Sequence, residues 1–376
     1  MRNILITGSS GFVGKNLYTF LKRKKDITVI PFDKEDTLDK LASAISSADF
    51  IFHLAGANRP SDPTDFMKVN RGLTETIVEL LKKFNKKTPI AFSSSIQAEL
   101  DNMYGKSKKA AEDVLISYSR DTGAPVCIFR FPNLFGKWSR PNYNSVVATF
   151  CYNISHGLDI TISDENKELE LAYIDDVVKV LVKMLEIRLD PKKYFYSIDK
   201  TFRVTLGDLA KMIYQFRGIR NTSILPDFSD EFTRDLYSTY LSFLEPNDFA
   251  YGVEMKTDNR GMLFELLKSR QFGQIFASKT HRGITRGNHY HDTKVEKFCV
   301  ISGHALIRLR NIHNDEVITY EVSGDKIQIV DIPPGYTHSI ENIGDDEMIV
   351  LFWANEIFNP ERPDTYYEEV LKNEEN

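Results

Sequence analysis

The chain has few cysteines and no long apolar run. Its three cysteines, Cys127, Cys151 and Cys299, are odd in number, far apart and without a CxxC pair. That excludes a disulfide framework and fits a reducing cytoplasm. No apolar stretch approaches the ~20 residues needed to cross a bilayer, so no membrane association is expected. The chain opens on a strand-like ILIT that runs straight into glycines, which leaves no room for a signal peptide. Excess positive charge is also missing, since 48 Lys and Arg stand against 53 Asp and Glu for a net charge of −5. Nucleic acid is therefore not an expected partner, and the basic run KRKK (22–25) reads as the solvated end of a helix. There is no internal repeat and no low-complexity segment.

What is present is 376 residues, 42% hydrophobic and 27% charged, the composition of a soluble globular protein and more chain than one core usually serves. The first ~200 residues alternate apolar strands (NILIT, ITVIPF, DFIFHLAG, PIAFSSS, VCIFRFP) with amphipathic helices (VGKNLYTFLKR, LTETIVELLKK, KSKKAAEDVLISYS). That rhythm predicts an α/β Rossmann-like domain, with a parallel sheet covered on both faces. After about residue 250 short β-rich runs follow one another, from KFCVISG to MIVLFWA, separated by turns such as SG and PPG. They predict an antiparallel all-β domain, a small barrel or jelly roll. LEPNDFAYG (244–252) has the composition of a linker, placing the domains at 1–245 and 253–376. The acidic tail EEVLKNEEN is expected to fray.

TGSSGFVG sets Gly8, Gly11 and Gly14 between a strand and a helix, where backbone N–H groups can approach a pyrophosphate. In YGKSK, Tyr104 and Lys108 are four apart and share one helical face. A lysine ammonium there favours the tyrosinate, making the phenol a usable acid or base. The strand end SSS (93–95) offers a hydroxyl to the same substrate oxygen. Asp33, about twenty residues past the glycines, suits the ribose hydroxyls of NAD, whereas Lys34 suits the 2′-phosphate of NADP. The residues alone leave that choice even.

These motifs, with HLAG (53–56), Asn70, RFPNLFG (130–136) and YIDDV (173–177), resemble the extended short-chain dehydrogenase/reductase family over about residues 1–240. The resemblance implies a catalytic set of Ser95, Tyr104 and Lys108, with Ser94 an alternative to Ser95. It also implies cofactor contacts from Gly8, Gly11, Phe12, Val13, Gly14, Asp33, Lys34, Leu54, Ala55, Gly56, Tyr104 and Lys108, and a sugar-nucleotide contact from Asn133. The chain departs from relatives in the short spacing of eight residues between Ser95 and Tyr104 and in a compressed segment before DFIFHLAG. The acid pair typical of sugar 4,6-dehydratases is replaced by Ile96 and Gln97, so oxidation or reduction is expected in place of dehydration.

Near the other end, GNHYHDTKVEKF sets His289 and His291 one residue apart. On a strand they share a face, and Glu296 joins them from its continuation. IPPGYTHSIEN adds His338 after a turn. Three imidazoles and a carboxylate suit Zn, Fe, Mn, Ni or Cu. Residues 283–303 and 324–342 resemble the two motifs of the cupin family, which implies a jelly-roll barrel holding a divalent metal, with zinc as the expected ion, on these four residues. His281, His304 and His313 fall outside the motifs and are expected to be structural or exposed.

Across nearly its whole length the chain resembles bifunctional capsular polysaccharide and O-antigen biosynthesis enzymes, in segments such as DLYSTYLSFL, DNRGMLFE and NPERPDTYYEEV. The resemblance implies a cytoplasmic homodimer acting on a UDP-linked 4-keto-6-deoxy amino sugar. Its cupin would invert C3, and its reductase would then reduce C4 with NADPH. Two other readings are a 4-keto sugar reductase with a purely structural metal cupin, and an NADP-sensing regulator. The Ser–Tyr–Lys set speaks against the last, since a sensor needs no proton-transfer groups.

Overall fold

A computed structural model describes residues 1–372. The chain divides into two compact units, one of residues 1–214 and 234–244, the other of 215–233 and 245–376. Residues 215–233 join the second unit although they precede the linker. Their segment at Ser223–Leu225 hydrogen-bonds to both backbone groups of Lys268, at 2.7 Å each.

In the first unit the elements are β1 (Arg2–Thr7), α1 (Phe12–Leu21), β2 (Ile27–Phe32), α2 (Leu38–Ser47), β3 (Phe50–His53), α3 (Leu73–Lys83), β4 (Ile90–Ser95), α4 (Met103–Thr122), β5 (Val126–Phe131), β6 (Asn133–Phe135), α5 (Val146–Ser155), β7 (Glu168–Tyr173), α6 (Ile174–Lys183), β8 (Phe195–Tyr196) and β9 (Phe202–Thr205). Helices α7 (Leu206–Thr222) and α8 (Glu231–Leu241) follow, each divided between the two units, α7 after residue 214 and α8 before residue 234. Six strands form a parallel sheet in the order β2-β1-β3-β4-β5-β8. The central strands are apolar through their middles because both faces are covered: Leu5, Ile51 and Ile128 pack on one side, Ile6, Phe52 and Phe129 on the other. The strand order reverses between β1 and β3, and a ligand crevice belongs at the carboxyl ends there.

The second unit carries β10 (Met255–Asp258), β11 (Gly261–Ser269), β12 (Gly273–Thr280), β13 (Thr285–Tyr290), β14 (Glu296–Ser302), β15 (His304–Asn311), β16 (Val317–Ser323), β17 (Ile329–Ile332), β18 (Tyr336–Asn342), β19 (Met348–Ala354) and β20 (Tyr366–Tyr367). They form two antiparallel sheets, β10-β11-β12-β19-β14-β17 and β16-β15-β18-β13-β20. Inward side chains of both, among them Phe298, Val350, Ile307 and Ile340, make the core. This is the all-β fold expected of a cupin.

Two expectations are corrected here. His289, His291 and Glu296 do not lie on one continuous strand, because β13 ends at Tyr290 and Glu296 opens β14 in the other sheet. The backbone N–H groups of Asp292, Thr293 and Lys294 all point at the Asp364 carboxylate instead of a neighbouring strand, and that turns the chain. Nor does the tail fray from its first residue. Arg310, 1% exposed, donates to the carbonyls of Val370 and Glu369 and to the Glu368 carboxylate. The expected fraying of residues 373–376 lies outside the described residues.

Candidate functional site

The first unit opens into a cavity of about 1110 Å³ at the carboxyl ends of β1, β3 and β4. All the residues expected at the dinucleotide and substrate sites line it: Gly8, Gly11, Phe12, Val13, Gly14, Asp33, Lys34, Leu54, Ala55, Gly56, Ser94, Ser95, Tyr104, Lys108 and Asn133. The glycine loop is sterically required. Gly8 has φ +73°, and a Cβ on Gly14 would lie 2.0 Å from the Gly8 carbonyl oxygen. The N-terminus of α1 has no side-chain cap, which leaves its first N–H groups open to an anion. The loop and the uncapped helix fit a pyrophosphate.

Asp33 is already engaged. Its carboxylate accepts from Ser9 Oγ at 2.5 Å, Ser10 N at 3.0 Å and Ser10 Oγ at 2.8 Å. Lys34 is exposed and lies 3.3 Å from Glu35.

Helix α4 presents Tyr104 and Lys108, the pair expected to transfer a proton. Asn102 caps it by accepting from Gly105 N at 2.8 Å, so Tyr104 falls in the first turn and Lys108 one turn later. Lys108 is 3% exposed, and its Nζ donates to the Ser93 carbonyl at 2.9 Å. Burial pushes its ammonium down to about 8, with Glu112 opposing that shift. Burial also raises the Tyr104 phenol, and the Ser95 hydrogen bond only partly offsets it. The expectation that the phenol is lowered is corrected, since burial is the largest influence on Tyr104 and raises it.

The two serines separate by environment. Ser94 Oγ donates 2.5 Å to Glu112, a fully buried carboxylate that also accepts from Arg130. Ser95 ends β4, accepts from Gln97 N at 3.2 Å and faces Tyr104.

In the second unit His289, His291, Glu296 and His338 offer ligand atoms that all lie within 4.8 Å of one another. A bulge delivers the first. The register slips between Gly287 and His289, around Asn288 at φ +59°, and seats His289 directly opposite His338. Glu296 enters from the other sheet, its Oε2 3.3 Å from His291 Nε2 and 3.6 Å from His338 Nε2. Both Nε2 atoms are buried and lack a hydrogen-bond partner among the described residues. Burial works to raise the Glu296 carboxyl, but the two imidazoles beside it outweigh burial and leave it low. Burial, then His338 and His291, press His289 down to about 4. Orphaned imidazole nitrogens around an ionised carboxylate fit a divalent cation. His281 and His304 are about half exposed and face Glu347 and Asp325, and His313 is exposed.

A model of the NAD dependent epimerase/dehydratase family matches residues 4–198. The chain belongs to that family. Residues 256–366 match the polysaccharide biosynthesis C-terminal domain, so this family member carries a second domain. Over 363 residues it is 45% identical to the UDP-2-acetamido-2,6-beta-L-arabino-hexul-4-ose reductase of Pseudomonas aeruginosa, covering 96% of this chain and 97% of that one. The crystal structure of the capsular polysaccharide assembling protein CapF from Staphylococcus aureus is similar throughout, with TM-score 0.91, 45% identity and 98% and 100% of the two chains covered. UDP-glucuronic acid 4-epimerase from Bacillus cereus, solved with NAD, shares the fold of the first domain, at TM-score 0.56 and 17% identity over 64% of this chain and 98% of that one.

Sequence reasoning missed two residues. Asp364 lies 73 positions from His291 yet accepts from its Nδ1 at 2.6 Å, a pairing that no local spacing rule contains. Arg286 stands within the cupin-like residues 283–303, where its place three residues before His289 was a usable signal. It pairs across β18 with core residue Ile340, as His289 does with His338, so both look inward. Its Nε donates to Thr280 at 3.0 Å, while its buried Nη2 has no partner among the described residues.

Proposed function

We propose that this chain is a bifunctional nucleotide-sugar enzyme acting on UDP-2-acetamido-2,6-dideoxy-β-L-arabino-hexos-4-ulose. The cupin unit inverts C3, and the reductase unit reduces C4 to give UDP-2-acetamido-2,6-dideoxy-β-L-talose. That product is a precursor of UDP-N-acetyl-L-fucosamine for capsule or O-antigen. One observation carries the reading: a Ser–Tyr–Lys set in a nucleotide-sized cavity and a buried three-histidine, one-carboxylate cluster occur on a single chain. The 45% identity to a protein named as a reductase of such a 4-keto sugar supports the substrate class.

In the reductase unit, reduced nicotinamide supplies the hydride for C4. Ser95 and Tyr104 hold the ketone oxygen, and Tyr104 gives its proton to the oxygen as alkoxide forms. The raised phenol keeps that proton at neutral pH, as an acid requires. Lys108 holds the end of β4 through the Ser93 carbonyl and keeps a positive charge near the phenolate left behind. NADPH is the proposed cofactor, because Asp33 is occupied by Ser9 and Ser10 while Lys34 stands at the cavity wall.

In the cupin unit the proton on C3 is acidic because the C4 carbonyl accepts the charge as an enolate. His289, His291, Glu296 and His338 would hold an ion, proposed to be zinc, which would supply positive charge to that site. Arg286 offers its unpaired Nη2 to the enolate oxygen. Loss of the C3 proton to a general base and return of a solvent-derived proton on the opposite face complete the inversion, and reduction at C4 then removes the acidity that made it reversible.

Product analysis after incubation with the 4-keto sugar and NADPH tests the reading. The talo sugar is expected, with one NADPH consumed per product. Reduction without a change at C3 favours the alternative of a reductase with a purely structural metal.

A further inference from the structure

The stretch after β19 does more than close the second unit. Three separate sets of contacts tie Pro363–Val370 to the immediate surroundings of the three histidines. At one end the Asp364 carbonyl accepts from His291 Nδ1 at 2.6 Å. The Asp364 carboxylate gathers the N–H groups of Asp292, Thr293 and Lys294 at 2.9, 3.0 and 2.8 Å. In the middle, Tyr367 and Tyr366 of β20 pair with His289 and Tyr290. At the far end Glu368 N donates to the Asn288 carbonyl at 3.0 Å, and Thr337 Oγ1 donates to the Glu368 carbonyl. Asn288 and Thr337 directly precede His289 and His338, so each histidine has either its ring or its adjoining backbone held by this one segment.

We propose that Pro363–Val370 is a strap that presets the four-ligand centre, with Asp364 as its positioning residue. The proposal rests on the reading that His289, His291, Glu296 and His338 hold an ion. The chemistry of His291 follows from its partner. A carbonyl only accepts, so Nδ1 carries the proton and the Nε2 lone pair is left facing the cluster. The Asp364 carboxylate fixes the 292–294 turn that sets where that ring sits. Asp364 itself has φ +40°, a conformation that glycine and asparagine tolerate and alanine resists. Buried Arg310 anchors the strap beyond Glu368.

The test uses the full chain, stripped of metal and titrated with Co²⁺ against a competing chelator, with the visible Co²⁺ spectrum recorded. Asp364→Gly keeps the backbone conformation accessible but removes the carboxylate. It should weaken Co²⁺ binding roughly 10- to 100-fold and shift the absorption bands, as loss of an outer-shell partner does. Asp364→Asn retains one acceptor oxygen and the backbone preference, so it should recover most of the affinity and the wild-type spectrum. NADPH binding should be unchanged in both. If Asp364→Gly does not fold, Lys294→Met takes its place with the same expectation, since it removes the bonds from Lys294 Nζ to Pro363 and Thr365. A glycine variant with wild-type affinity and spectrum, or an asparagine variant as weak as the glycine one, overturns the proposal alone. A wild-type chain that takes up no Co²⁺ overturns the ligand reading and the strap with it.

Discussion

Lys108 Nζ donates to the Ser93 carbonyl at 2.9 Å and stands 6.0 Å from the centre of the Tyr104 ring. The lysine therefore fixes the strand end that carries Ser95 while its charge stays within reach of the phenol. Tyr104→Phe removes the acid and keeps the ring. NADPH oxidation with the 4-keto sugar should fall by roughly 10²–10⁴-fold with cofactor binding retained. Near-normal turnover would remove Tyr104 from the proton transfer.

The two neighbouring serines should fail in different ways. Ser94→Ala leaves the fully buried Glu112 short of a donor, which costs on the order of 1–3 kcal/mol of stability and spares turnover. Ser95→Ala should keep the melting temperature and lose roughly 10²-fold in turnover, the scale for one donor to a developing oxyanion. Chemical denaturation and steady-state rates on the same two variants separate the roles. A reversed pattern would assign catalysis to Ser94.

Cofactor choice is read from Lys34. Lys34→Ala should raise the KM for NADPH and leave that for NADH nearly unchanged. Equal effects on the two cofactors would show that Lys34 makes no contact specific to the 2′-phosphate.

Acid stability has an identifiable contributor in the first unit. His53 is fully buried between Thr7 and Thr74, and burial, with the Lys108 charge, pushes it from 6.5 down to about 3. Its folded-state pKa is depressed, so the unfolded chain takes the proton first. The stability it contributes is therefore complete above pH 6.5 and lost as pH falls toward 3. His53→Gln should flatten the dependence of the unfolding midpoint on pH across that window. An unchanged slope would place the acid sensitivity elsewhere.

The sequence made the two periods legible, and with them both folds, because strand alternation and helix spacing are local properties. The glycine loop, the Tyr104–Lys108 pair and the four-residue cluster were legible for the same reason, each lying within or beside a short motif. What stayed hidden was set by distant partners. Glu112, 18 residues away, separates Ser94 from Ser95. Desolvation, which spacing cannot report, reverses the expected shift of Tyr104. The bulge at Asn288 and the turn held by Asp364 replace the single strand expected through Glu296. Arg310 holds a tail whose composition alone reads as loose.

The division of labour between the two units is tested most directly by incubating the 4-keto sugar with the protein in D₂O, with and without NADPH. Wild type should exchange the C3 proton for deuterium with no cofactor present. Variants lacking His289, His291, Glu296 or His338 should not, although they still bind NADPH. Tyr104→Phe should exchange at the wild-type rate. Deuterium entering C3 only when Tyr104 is present, or no exchange by wild type without NADPH, would contradict the account.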